Sequence, residues 1–537
     1  MNNHTTIVIV LFLFLFLQAC KPQEEKEEII LSAITIPEES QDLFDNGVVL
    51  EAAYPDGIQT ITASFNATDQ WTASITESDD DNWLSVDPSS GEAGSVTITV
   101  TVQPNSSAEI RNAKITITCG EDSRLLSVSQ NGRVPDKNCL TFTTEGTATL
   151  ALEDVGALRP VLYYSRDAVN WTKWDYAPLS YDNQHPLYLY GDNPEGINNR
   201  NLFCRFIATG DAFAVSGNIM HLISKEDEIT TIPSEYCFRD LFNRCFTLTK
   251  APDLPATTLT PGCYQGLFQG CTSLEQAPDL PATNMRKYCY CYMFNGCINM
   301  VAAPSLPAST LELGCYMCMF MSCLNLTTPP DIAATSLADM CCYYMFAECT
   351  GLTTAPELRA TTLSNYCYQY MFFGATSLIT APELPATVLA SDCYGSMFAN
   401  CSSLTQAPDL PATSLATGCY AGMFYGCKNL IQPPQLPATA LASNCYKEMF
   451  HGCINLTEAP ELPAPILTSS CYQYMFLGCK KLSFVKCLAE NISAARCVDL
   501  WLSDVSTGGT FVKAAGMNDW PSGENGIPES WTVVDAE

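Results

Sequence analysis

Apolar positions in the second half of the chain return on a fixed step of 26 residues. Cysteine stands at Cys237, Cys263, Cys289, Cys315, Cys341, Cys367, Cys393, Cys419, Cys445, Cys471 and Cys497. Phenylalanine keeps the same step at Phe242, Phe268, Phe294, Phe320, Phe346, Phe372, Phe398, Phe424, Phe450 and Phe476. A period of this length marks units that bury their apolar faces only against their neighbours. Within one unit, Leu259, Cys263, Leu267 and Cys271 fall at i, i+4, i+8 and i+12, which predicts one stripe of an α-helix. Thr257 or Thr258 is placed as its N-cap, and Gly270 lies near its end. Leu274 opens a short extended rung. Proline follows that rung in every unit, from Pro252 and Pro278 through Pro304, Pro330, Pro356, Pro382, Pro408 and Pro434 to Pro460. Each strand must stop there, because proline has no N–H to give a ladder. The predicted architecture over residues 237–486 is an α/β solenoid of about ten repeats, roughly 50 Å long at about 4.8 Å per rung.

The first half reads differently. Short alternating runs such as Val96-Thr97-Ile98-Thr99-Val100 and Ala113-Lys114-Ile115-Thr116-Ile117, separated by turn residues, predict an all-β sandwich over residues 43–135. Residues 136–236 form a second β-rich unit that leads into the repeats and is expected to cap them. Its Trp171, Trp174, Tyr176 and Tyr181 suit either a sugar-stacking surface or the core of a small sandwich. Residues 487–537 leave the period and are expected to cover the last rung.

At the amino terminus, residues 7–19 are nearly all apolar, too short for a membrane span but right for a signal-peptide core. The segment ends in Leu17-Gln18-Ala19-Cys20, which resembles the lipobox of bacterial lipoproteins. That resemblance implies cleavage after residue 19 and acylation of Cys20, although the leading residues lack Lys or Arg. Residues 20–42 then form an acidic tether. The run after Cys20 resembles the export signal that sends some lipoproteins to the outer face of a Gram-negative outer membrane. The implied location is the cell surface, anchored in the lipid bilayer by acyl chains.

Two further resemblances carry expectations. Trp71, Asn82-Trp83-Leu84-Ser85-Val86-Asp87-Pro88, Pro104-Asn105 and the closing Val128-Ser129-Gln130-Asn131-Gly132 resemble the BACON domain. That is an immunoglobulin-like sandwich found beside glycan-active domains on bacterial surface proteins, in many of which it serves as a spacer. Trp71 and Trp83 read as core rather than as ligand platforms. The repeat pattern x-Cys-Tyr-x-x-Met-Phe-x-Gly-Cys-x-x-Leu resembles BspA-like leucine-rich repeats, with a longer period and an added Ala-Pro-x-Leu-Pro segment. The solenoid is therefore expected to be leucine-rich-repeat-like, and the resemblance implies adhesion to host proteins, cells or other bacteria.

Composition narrows the partners. A net charge of −31 excludes nucleic acid, whose phosphates need a basic footprint. The 28 cysteines would ordinarily signal disulfides in an exported chain. On a helix, however, Cys263 and Cys271 lie about 12 Å apart, beyond the roughly 4.4–6.8 Å of a disulfide. Ala375 also replaces the second cysteine of its unit while Cys367 stays. Packed, reduced thiols are expected. No metal or other cofactor is expected, since zinc needs four converging ligands and no histidine lies near the Cys291, Cys318 and Cys342 clusters. Asp79-Asp80-Asp81 reads as a solvated turn. The four histidines are scattered and no catalytic motif is present, so an enzyme is not expected. The candidate ligand-facing row is Tyr264, Tyr290, Tyr316, Tyr368, Tyr394, Tyr420, Tyr446 and Tyr472, with half-buried packing as its competing role. The function so read is an adhesin-type binding protein for a host glycoprotein, mucin glycan or matrix protein. The alternatives are a structural spacer or surface assembly component and, behind it, a polysaccharide-processing accessory protein.

Overall fold

The computed structural model describes residues 32–50, 52, 57–79, 82–105, 109–132, 139–155, 159–225 and 229–537. Cys20, the signal segment and most of the tether lie outside the described residues. The chain divides into two units, Met1–Arg133 and Val134–Glu537.

Unit 1 is two sheets around one core. The alternation of its strands puts every second side chain inward. One sheet pairs β1 (Ile34–Thr35), β3 (Gln59–Ala67), β7 (Gly94–Val102) and β5 (Leu84–Asp87) in that order. The other runs β2 (Val48–Leu50), β9 (Asp122–Gln130), β8 (Arg111–Cys119), β4 (Trp71–Ser78) and β6 (Ser90–Gly91). Ile61, Phe65, Ile98, Val100, Ile115, Ile117 and Leu126 meet between them. Trp71 and Trp83 are buried in this core. Strand β1 and helix α1 (Glu38–Asn46) belong to the unit, so its folded part begins before the expected boundary at residue 43.

Unit 2 opens with β10 (Leu140–Thr144), β11 (Thr147–Val155), β12 (Leu162–Ser165), β13 (Thr172–Lys173), β14 (Leu179–Asp182), β15 (Leu187–Gly191), β16 (Phe203–Gly210) and β17 (Phe213–Ser216). Trp174 and Tyr181 fill its core, whereas Trp171 stands half-buried, edge-on to Tyr190 at 4.6 Å. Its larger sheet continues into the repeats, because β17 pairs in parallel with β18 (Leu248–Lys250). At the far end β19 (Phe484–Cys487), β20 (Thr510–Lys513) and β21 (Thr532–Asp535) form a parallel sheet. There Trp501, fully buried, stacks on Tyr472 at 6.1 Å.

The expected α/β leucine-rich-repeat-like solenoid does not form. The single α-helix among the described residues is α1, in unit 1, and the regular structure is otherwise nearly all β. The stripe read as a helix is a column of turns. Within one repeat, Cys263, Gln265, Leu267, Gln269 and Cys271 each donate their N–H to the carbonyl three residues back. The residues between them, Gly262, Tyr264, Gly266, Phe268 and Gly270, donate instead to Lys287, Cys289, Cys291, Met293 and Asn295 of the next repeat. Every fourth residue has positive φ, near +62° at Gly262 and Gly266 and +73° at Gly270. That is the third position of a type II turn, and it cannot occur in a right-handed helix. A four-residue turn period and a 3.6-residue helix put Leu259, Cys263, Leu267 and Cys271 on one face alike, so the spacing does not distinguish them.

The remainder of each repeat touches the next through single parallel bridges such as Lys250↔Gln276 and Thr258↔Asn284. Inside, the phenylalanine rings stack at 5.5–5.8 Å from Phe242 to Phe476. From Cys271 to Cys479, wherever the second cysteine is present, it donates its thiol to the phenylalanine carbonyl 29 residues earlier, as Cys271 does to Phe242 at 3.1 Å and Cys349 to Phe320 at 3.0 Å. All 27 described cysteines are free and buried.

The hydroxyls of Tyr264, Tyr316 and Tyr420 are buried with no hydrogen-bond partner among the described residues. A buried orphan hydroxyl costs about 1–3 kcal/mol. Phenylalanine at each of these positions is expected to raise stability by about 1 kcal/mol or more, read as a higher midpoint of unfolding. A lower midpoint would show that the hydroxyls are satisfied.

Candidate functional site

The expected ligand-facing row is not on the surface. Tyr264, Tyr290, Tyr316, Tyr368, Tyr394, Tyr420, Tyr446 and Tyr472 are each at most 2% exposed. Neighbouring rings in the row stack at 5.8–6.2 Å. The residue after the first cysteine points into the turn column, so this row is a second packed ladder beside the phenylalanines.

A set of half-buried tyrosines lies two positions away, at positive-φ corners. Tyr288, Tyr292, Tyr344, Tyr366 and Tyr370 all have φ between 55° and 58°. Glycine is the default residue for such corners, and it fills them at Gly262, Gly266, Gly418 and Gly422. A side chain in this conformation costs roughly 1–2 kcal/mol, and strain of this kind gathers where a surface is used. Four of the aromatic side chains form one half-buried cluster. Tyr344 and Tyr370 stack at 4.4 Å, 11° from parallel. Tyr343 meets both edge-on, at 4.6 and 5.9 Å, and Phe373 closes against Tyr370 at 5.9 Å. Burial pushes the phenols of Tyr292, Tyr343 and Tyr344 up, so they remain neutral hydrogen-bond donors at ordinary pH.

Beside this cluster the same corners lose their side chains, and a polar trough of about 360 Å³ opens. Tyr370 forms one wall, with Asp392 and Ser396 next to it. Gly418 and Gly422 line the floor. A Cβ on Gly418 would meet the Asp392 carboxylate at 2.3 Å, and one on Gly422 the Ser396 hydroxyl at 2.8 Å. Glycine at these corners keeps the trough open. Lys447 and Glu448 line it too, paired at 3.6 Å. Loss of solvent raises the Asp392 carboxyl from its usual range. The arrangement offers a flat aromatic wall and neutral and charged hydrogen-bonding groups, with no nucleophile–base pair. No group of three or more His, Cys, Asp or Glu suited to a metal ion occurs among the described residues. The sequence signal for this site was the tyrosine-for-glycine exchange within one column, Gly266 against Tyr292, Tyr344 and Tyr370.

A family model matches residues 71–131: BACON, described as "Putative binding domain, N-terminal". The match begins at β4 and runs just past β9, so unit 1 carries a BACON domain. It covers far less than half of the chain, and the aromatic cluster lies outside it. No curated protein matches the chain. Among solved structures, a Bacteroides ovatus GH5 xyloglucanase in complex with a XXXG heptasaccharide is similar at 18% identity over 19% of this chain and 19% of that one, with a TM-score of 0.16. The chain spans less than a fifth of that enzyme, and so slight a likeness carries neither fold nor function.

Proposed function

We propose that this chain is a non-enzymatic, lipid-anchored binding protein of adhesin type. On this reading Cys20 carries the acyl anchor, the outer face of a Gram-negative outer membrane is its location, and the repeats present the ligand site. The ligand class is a host glycoprotein, mucin glycan or matrix protein. The observation that carries the reading is the strained tyrosine cluster of Tyr344 and Tyr370 beside the glycine-floored trough. Aromatic faces with a few placed polar groups are the usual furniture of a recognition site. The BACON domain, a family of binding domains by its description, and the adhesion implied by the repeat's resemblance to BspA-like sequences support the same class.

The test is binding of the lipid-free chain to arrayed mucin glycans and matrix proteins, with the double variant Tyr344→Gly/Tyr370→Gly. Affinity is expected to fall at least about tenfold. Stability is expected to stay within about 1 kcal/mol, because relief of corner strain offsets the lost stacking of about 0.5–1.5 kcal/mol. Saturable binding that the double variant leaves unchanged would remove the cluster from the site. No binding by the folded chain would favour the spacer.

A further inference from the structure

A second recognition surface lies on the Ala-Pro-x-Leu-Pro segments, and it shares no residue with the tyrosine site. Its origin is a gap in the ladder. Single bridges join Thr354 to Thr380 and Gln406 to Gln432. None joins Thr380 to Gln406 or Val388 to Ser414 among the described residues. The two segments part there, leaving a groove of about 620 Å³. An adjoining depression of about 550 Å³ shares Gln406, Ala407 and Asp409 with it and extends to Glu461.

The lining of this double groove has two parts. Ala381, Pro382, Ala407 and Pro408 give an apolar surface, and Ile379 and Ile431 stand at its edge, each 56% exposed. Glu383, Asp409 and Glu458 line it as exposed carboxylates and form no ion pair among the described residues. Glu461 pairs with Lys486 at 3.1 Å. Glu383 and Asp409 sit on adjacent repeats and Glu458 stands two repeats further on, past the one that carries Gln432 and Gln435, at about 5 Å per rung. A row of that length, about 15 Å, matches four or five residues of extended chain at roughly 3.3 Å each.

We propose that this groove docks an extended, basic polypeptide whose apolar side chains alternate with Lys or Arg. Isoleucines 379 and 431 receive the apolar side chains, and the unpaired carboxylates receive the cations. The carboxylates set the sign of the partner, and the apolar groove between the separated segments sets its shape. This inference stands apart from the glycan or matrix reading of the tyrosine site.

The probes are the acetylated, amidated decapeptides (Lys-Val)5, (Lys-Ser)5 and (Glu-Val)5, titrated against the lipid-free whole chain by fluorescence anisotropy. (Lys-Val)5 is expected to bind, (Lys-Ser)5 more weakly, and (Glu-Val)5 not at all. Two variants, Glu383→Gln/Asp409→Asn/Glu458→Gln and Ile379→Asn/Ile431→Asn, are each expected to weaken (Lys-Val)5 about tenfold. A control, Glu121→Gln/Glu145→Gln/Glu529→Gln, removes as much charge elsewhere and is expected to leave affinity unchanged. All substituted side chains are exposed, so unaltered melting is expected to confirm folding. Equal loss in the control would overturn the proposal in favour of general attraction to an acidic protein. Unweakened binding by both groove variants would overturn it too, as would loss of (Lys-Val)5 in Tyr344→Gly/Tyr370→Gly.

Discussion

Phe320→Ala is expected to cost about 3–5 kcal/mol, the usual range for a large aromatic side chain removed from a packed core. The ring is fully buried and lies 5.6 Å from Phe294 and 5.5 Å from Phe346. Truncation therefore empties the middle of a continuous stack. The backbone at the same residue holds two further contacts, since its carbonyl accepts the Cys323 N–H and the Cys349 thiol. A cavity there loosens the repeats on both sides. Each repeat contacts only its neighbours, so stability is close to a sum of local terms. The loss should appear as local opening rather than as a uniform shift. Hydrogen exchange is the suitable measurement, because a unit this long need not unfold in two states. Amides of residues 290–350 are expected to lose protection strongly while those near Phe450 change little. Equal loss along the whole stack would show that the repeats melt as one body.

The pattern of burial was legible in the sequence, and the path of the backbone was not. The period from Cys237 to Cys497 and the column from Phe242 to Phe476 marked the core correctly, because a buried position tolerates few residue types. The alternation at residues 96–102 and 113–117 likewise marked strands. The helix failed because spacing by four fits a turn column as well as a helix. Gly262, Gly266 and Gly270 pointed to the turns, but Tyr288, Tyr292, Met340 and Glu348 occupy equivalent corners and hid the requirement for positive φ. The site was missed for the same reason. On a helix Tyr264 stands beside the apolar stripe, whereas in the turn column it points inward and the corner two residues on carries the surface. The cysteines are a mixed case. Ala375 implied that no partner is needed within a repeat, and the free thiols agree. The supporting 12 Å separation belonged to a helix that does not form.

Those thiols lead to the second large expectation. At pH 8 the folded chain, apart from Cys20, is expected to react with almost none of a soluble thiol reagent, and after denaturation without reductant with all 27 of the described cysteines. Two causes act together. The side chains are at most 4% exposed, so the reagent has no access. The thiolate is the reactive form, and burial suppresses it, pushing Cys237, Cys289, Cys323, Cys427 and Cys479 each up to about 12. The same shift fixes the sign of the pH dependence. Above pH 9 the unfolded chain sheds thiol protons that the folded chain retains, so unfolding is favoured as pH rises. The contribution is complete below about pH 9 and is lost progressively toward pH 12. Many thiols share this window, so alkaline unfolding should be steep. Replacing a set of column cysteines by alanine, which Ala375 shows the turn column accepts, should flatten that pH dependence. A disulfide-bonded chain would behave in the opposite way: denatured without reductant it would titrate far fewer than 27 thiols, and reductant would lower its melting temperature. Either result would mean that cysteines of neighbouring repeats are bridged within a column.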